Sequence, residues 1–254
     1  MLQKRAVKRK ELLELMSMNN FTANTRIFDK YLSKHYPEKD SFLKHEGRSE
    51  EFNRKNTQII VNELPIDILF IGDSITEGWE TSCYFSKYGR IINRGISGEK
   101  LSELVLRFYK DCVELKPKLC VFCSGINDTY NLYKKMASGE EITPQDKSDF
   151  LFEYKNNLLK IVNISKENNI RIWLGSVLPL GTSDFRSQLI ISMNEVIKSI
   201  CNDYGLVYVD YHTKMVKDDG VTMQDFTFGD MLHPHVIGYN VMFKVLNELL
   251  EKEF

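Results

Sequence analysis

The chain has 254 residues, of which 43% are hydrophobic and 27% charged, and its formal net charge is −1. That length and composition fit a globular protein with a core that needs no staples. The near-zero charge excludes a global field for nucleic acid or an anionic membrane surface, and five cysteines without a framework favour a reducing, cytoplasmic setting over a disulfide scaffold.

The basic start, with Lys4, Arg5, Lys8, Arg9 and Lys10, imitates a signal peptide. Glu11 and Glu14 break its apolar part and no small-residue cleavage site follows, so it reads as a solvated helical arm. No uninterrupted apolar stretch approaches the length of a membrane span. Residues 1–65 are expected to form a helical N-terminal extension packed on the main domain. Its candidate helices cover 8–18, 25–36 and 48–63, with Pro37 stopping the second and Pro65 ending the third.

From residue 66 to 254 the pattern alternates. Apolar runs at 66–71, 90–93, 119–123, 170–175 and 206–210 are separated by helical stretches at 101–115, 148–167 and 187–203, with a last helix at 238–252. Alternating strand and helix predicts an α/β fold, a three-layer α/β/α sandwich on a five-stranded parallel sheet. Residues 129–147, with Gly139 and Pro144, read as one long irregular loop, the kind that is functional or mobile.

The chemistry-bearing residues fall at strand ends. After the first run comes Gly72-Asp73-Ser74-Ile-Thr-Glu77, where Ser74 sits as a strand hands over to a helix. A serine there has its hydroxyl in the cleft at the carboxyl edge of the sheet and its N–H at a helix start. It is either a nucleophile or a helix cap. After the second run, Gly95 in Asn93-Arg-Gly-Ile-Ser-Gly98 lets a backbone N–H approach a ligand, or makes a plain turn. After the third, Asn127 in Ser124-Gly-Ile-Asn-Asp128 offers a side-chain amide to an oxyanion, or makes an Asx-turn. A base is offered by Asp230-Met-Leu-His233-Pro-His235. A carboxylate three residues before His233 can hold its Nδ1–H and leave Nε2 for the serine, while His235 is the rival.

Two other patterns are bland. Cys120 and Cys123 lie in a predicted strand and point to opposite faces, so they read as core residues. The glycines at 72 and 78 lack the Lys-Ser/Thr of a phosphate loop.

Taken in order, Gly72-Asp73-Ser74, Gly95, Gly125-Ile-Asn127-Asp128 and Asp230-x-x-His233-Pro234 resemble the SGNH hydrolases, also called GDSL-type esterases and lipases, across most of residues 66–250. The segments around Glu46 and Asn93 look most like the branch of platelet-activating-factor acetylhydrolase-like proteins and carbohydrate acetylesterases. The resemblance implies a flavodoxin-like fold and a catalytic domain over 66–254. It makes Ser74 the nucleophile, His233 the base and Asp230 its orienting partner, with an oxyanion hole of Ser74, Gly95 and Asn127. Asp73, Asp128, Tyr130 and Pro179 are the expected substrate-pocket residues. Ile126 and Met231 depart from the family pattern, Met231 standing where glycine often follows the aspartate. The expected activity is hydrolysis of short acyl esters, acetyl first, on a small molecule or carbohydrate, with no metal or organic cofactor. A lysophospholipase or acyl-thioesterase is the alternative enzyme, and a non-catalytic binding protein on the same fold the alternative of another class. No nucleic-acid partner or membrane span is expected, and a homo-oligomer is compatible with the sequence.

Overall fold

The structure is a computed structural model and describes residues 10–11, 46–182, 184–216 and 226–254. Of the expected helix 8–18 only Lys10 and Glu11 lie in this part, and they are helical. The expected helix 25–36 lies outside the described residues.

The described elements, in order, are α1 (Glu46–Val61), β1 (Ile68–Gly72), α2 (Ser74–Glu77), α3 (Thr81–Tyr84), β2 (Ile91–Gly95), α4 (Leu101–Asp111), β3 (Leu119–Cys123), α5 (Tyr130–Ala137), α6 (Pro144–Glu167), β4 (Ile172–Gly175), α7 (Phe185–Tyr204), β5 (Val207–Val209), α8 (His212–Met215) and α9 (Val236–Leu250). The five strands form one all-parallel sheet in the order β2-β1-β3-β4-β5. β1, β3 and β4 are buried along their whole length, which is why they read as continuous apolar runs without alternation. This is the flavodoxin-like order, in which the direction of strand addition reverses between β1 and β3. The crevice for a ligand therefore opens at Gly72 and Cys123, the paired last residues of those strands.

The expected loop at 129–147 is mostly helical. A 3₁₀ turn at Ile126–Thr129 runs into α5, because nothing between Tyr130 and Ala137 breaks a helix. Pro144 opens α6 rather than a loop: Thr143 caps it, accepting from Asp146 N–H, and Asp146 caps back on Thr143 N–H. Only residues 138–143 remain irregular.

Helix α1 is tied to α4 and β2 by buried polar contacts. Asn56 donates to the Lys110 carbonyl (3.0 Å) and to Asp111 Oδ1 (2.7 Å), and its own oxygen accepts twice from Arg94 at 3.0 and 2.7 Å. The Arg94 guanidinium also stacks on Phe52, 4.7 Å from the ring centroid. Behind them Arg107 grips Glu99 with two hydrogen bonds of 2.6 Å and reaches Asp111 at 3.2 Å. Arg94, Glu99, Arg107 and Asp111 are all buried, so each charge depends on these partners.

Candidate active site

The turn that carries Ser74 is built by Asp73. Asp73 is the N-cap of α2, and its carboxylate accepts from Ile75 N–H at 3.0 Å and from Gly125 N–H. Ser74 is then the first helical residue, and its hydroxyl is released from capping. Glu77 does not close a capping box. It accepts from Ser97 N–H (2.5 Å) and Ser97 Oγ–H (2.6 Å) and pairs with Arg48 of α1 at 3.3 Å.

His233, the candidate base, arrives on a separate hairpin. Thr227 and Pro234 pair antiparallel, with Phe228 N–H bonded to the His233 carbonyl and His235 N–H to the Phe226 carbonyl. Asp230 and His233 sit on the turn between them. Asp230 Oδ1 accepts from the N–H groups of Leu232 and His233, both at 3.0 Å, and Met231 adopts a left-handed φ of 59°. That φ is the physical reason a glycine suits the position. Gly181, beyond β4, ties the turn down by donating to the Met231 carbonyl at 3.0 Å.

This turn aligns three side chains. His233 Nδ1 lies 2.6 Å from Asp230 Oδ2, and His233 Nε2 lies 2.9 Å from Ser74 Oγ. A carboxylate only accepts, so Nδ1 carries the proton, Nε2 is the free base, and the serine hydroxyl donates to it. Partial burial works to raise the Asp230 carboxyl, but the His233 ring and the two backbone N–H groups outweigh it and hold Asp230 below the usual range. The site is open: the side chains of His233 and Asp230 are 38% and 47% exposed. His235, the rival base, is committed elsewhere. It is the N-cap of α9, its Nδ1 accepts from Ile237 N–H at 3.1 Å, and its ring packs edge-on against Phe228.

Asn127 stands on the 3₁₀ turn after β3 and donates one amide hydrogen to the Glu99 carbonyl at 3.1 Å. That bond fixes the amide plane and leaves its second hydrogen available. Gly95 departs from its expected role. It is buried, its N–H is spent on Asn93 Oδ1 at 2.8 Å, and an added Cβ would lie 2.1 Å from the Glu77 nitrogen. It is a packing glycine that lets β2 meet α2. Along the same loop Ile96 N–H bonds to Gly72, Ser97 to Glu77, Glu99 to Ile96, Lys100 to Glu103 and Leu101 to Asp128. Gly98 is the member of this run whose N–H has no acceptor among the described residues. It is exposed, has φ of 77°, and has nothing near its Cβ direction. The sequence signal for it was its second glycine in Gly95-Ile-Ser-Gly98.

The expected pocket residues divide. Asp73 and Pro179 are buried, so neither lines an open pocket. Burial pushes the Asp73 carboxyl up to about 7, against the pull of the Ile75 and Gly125 N–H groups. Asp128 is half-buried and caps the start of α4, with both oxygens on Leu101 N–H at 3.2 and 3.0 Å. It also lines a cleft of about 400 Å³ with Lys100, Asn131 and Tyr154. Burial raises its carboxyl to about 7 as well. Tyr130 is 49% exposed and stacks on Tyr133, so it is the expected pocket residue that stands in solvent. Trp79 is a core residue, stacked on Tyr239. The five cysteines are free, with only Cys83 exposed. Among the described residues no cluster of three metal-ligating side chains occurs, and no helix is long and apolar enough to cross a membrane.

No curated protein matches the sequence. A Bacteroides fragilis protein assigned as an acylhydrolase is 26% identical, with 85% of this chain and 99% of that one covered and a TM-score of 0.64. Structures below 25% identity also share the fold, among them the following two. One is a Streptococcus pneumonia protein assigned as a platelet activating factor (22%; 91% and 100% covered; TM-score 0.67). The other is a catalytic mutant of an acetylxylan esterase from Geobacillus stearothermophilus (21%; 74% and 94% covered; TM-score 0.59). Residues 70–241, more than half of the chain, match the sequence profile of the GDSL-like lipase/acylhydrolase family, and the chain belongs to that family.

Proposed function

We propose that the protein is a serine esterase that removes a short acyl group, acetyl first, from an alcohol-bearing substrate such as a carbohydrate. The observation that carries the reading is the unbroken hydrogen-bonded chain from Ser74 through His233 to Asp230, at 2.9 and 2.6 Å. Ser74 Oγ attacks the ester carbonyl while His233 Nε2 takes its proton, and Asp230 holds the imidazolium in place. The tetrahedral oxyanion is met by the Ser74 N–H and the free hydrogen of the Asn127 amide, with Gly98 supplying the backbone donor first sought at Gly95. His233 returns the proton to the leaving alcohol. Water, activated by the same nitrogen, then hydrolyses the acyl-enzyme and regenerates Ser74.

The exposure of His233 and Asp230 supports a shallow site that reads an acyl group carried on a larger body. The acetylxylan esterase among the fold neighbours supports the carbohydrate version. The test is hydrolysis of p-nitrophenyl esters from C2 to C12. The proposal expects the highest kcat/KM at the short end and loss of turnover on Ser74→Ala by about 10⁴-fold or more. A folded Ser74→Ala protein that keeps a tenth of the rate would refute it, and a preference for long chains would move the assignment to a lysophospholipase or thioesterase.

A further inference from the structure

We propose, on the esterase reading above, that Arg107 is a positioning residue for the oxyanion hole. A single buried guanidinium touches the frame of every donor. Its Nη2 reaches the Gly72 carbonyl at 3.2 Å, two residues before the nucleophile. Its Nε and Nη2 clamp the Glu99 carboxylate at 2.6 Å each. The Glu99 carbonyl in turn orients the Asn127 amide at 3.1 Å, and Glu99 immediately follows Gly98. Asp111 closes the fourth side through Nη1 at 3.2 Å, and Asn56 holds Asp111 from α1.

The three donors otherwise belong to separate segments, after β1, after β2 and after β3. Their relative placement has to be fixed to a fraction of an ångström for an oxyanion to be held by all of them. Backbone pairing already locks β1 to β2 and to β3. It does not lock residues 97–100 to the sheet, because the last such bond runs from Ile96 N–H to the Gly72 carbonyl. The fork of Arg107 does so, and its geometry is one a lysine cannot reproduce. A lysine ammonium carries the charge but not two parallel N–H bonds to Glu99 with a third to a carbonyl.

A residue that acts through Asn127 has a signature that a merely stabilising one lacks. Arg107→Lys, Asn127→Ala and the double variant are compared by kcat and KM on p-nitrophenyl acetate, each shown folded by circular dichroism and thermal unfolding. Arg107→Lys is expected to lower kcat about tenfold or more with KM within about twofold. In the Asn127→Ala background the same change should cost clearly less, because one of the donors it aims is already gone. Glu99→Gln, which keeps the side-chain shape and the backbone carbonyl, is the second variant, with the same non-additivity expected. An equal factor in both backgrounds, or wild-type kcat in folded Arg107→Lys and Glu99→Gln, overturns the proposal. Ser74→Ala run alongside separates the two claims. If it stays active the esterase reading fails; if it is inactive and the cycles are additive, only the role of Arg107 fails.

Discussion

Asp73→Asn should change how stability depends on pH. The Asp73 carboxyl is 2% exposed, and burial, reinforced by the nearby Glu99 charge, raises it from 3.8 to about 7. The hydrogen bonds from Ile75 and Gly125, and the neighbouring His233, pull the other way and lose. An acid whose folded pKa lies above its unfolded value binds more protons when folded. Its contribution is therefore complete below the unfolded pKa and is lost as pH rises through the folded one. The slope is about 1.4 kcal/mol per pH unit between the two values and flattens above 7, so the wild type should lose roughly 2.5 kcal/mol between pH 5 and pH 8 from this group. Asparagine has no proton to lose and keeps an oxygen for Ile75 N–H. Asp128, also raised to about 7 and first of all by burial, remains in both proteins; part of its rise comes from the Asp73 charge, so the variant loses that part as well and the difference moves in the same direction. Urea unfolding of wild type and variant at half-unit steps should show the variant gaining on the wild type by roughly 2.5 kcal/mol across that range. A difference that stays flat within about 0.5 kcal/mol would mean Asp73 is ionised throughout and its burial is offset by its N–H partners.

The remaining expectations concern the site directly. His233→Ala should lose turnover about as fully as Ser74→Ala, because triad members act as one unit, whereas His235→Ala should keep most activity and lose about 1 kcal/mol of stability with its α9 cap; steady-state rates and thermal midpoints on the two variants decide it, and the reverse ranking would transfer the base to His235. Asn127→Ala should lower kcat about 10²–10³-fold with KM nearly unchanged, since the amide meets the oxyanion more strongly than the ground-state carbonyl; a change confined to KM would make it a substrate-binding residue. Gly95→Ala places a methyl 2.1 Å from the Glu77 nitrogen, and backbone cannot yield cheaply, so it should cost about 3 kcal/mol or more by denaturant unfolding; near-wild-type stability would mean α2 moves freely over β2.

The sheet was legible because buried parallel strands write themselves as apolar runs. β3 matches the expected 119–123 residue for residue, and the other four strands differ only at their ends. The pairing of Asp230 with His233 was legible because they share one turn, whose hydrogen bonds are local. What could not be read depended on partners distant in sequence. Asp73 and Ser74 are both good caps by type, and the Gly125 N–H, brought by β3, helps Asp73 take the role. In the sequence Gly95 is the expected donor, and Gly98 is a second glycine three residues on. The Asn93 side chain and the Glu77 backbone exclude the first, and neither contact follows from a motif. The helix α5 was missed because Gly139 and Pro144 coloured the whole segment, although both lie beyond its end.

The contacts of α1 bear on where this chain can be cut. The family profile spans residues 70–241, which opens inside β1 and closes inside α9. A fragment trimmed at Pro65, the junction suggested by the change in sequence pattern, would lack Phe52 and Asn56. Arg94 would then keep only the carbonyl of its own neighbour, Asn93, and Asp111 would lose one of its two side-chain partners. The cut would remove these contacts and uncover the face of α4 and β2 that α1 packs on, a loss set against the roughly 5–15 kcal/mol that holds a typical domain together. The stretch matched by the family profile and the stretch that holds these contacts are thus different lengths. A minimal expressible piece should begin no later than Glu46 and run through the end of α9.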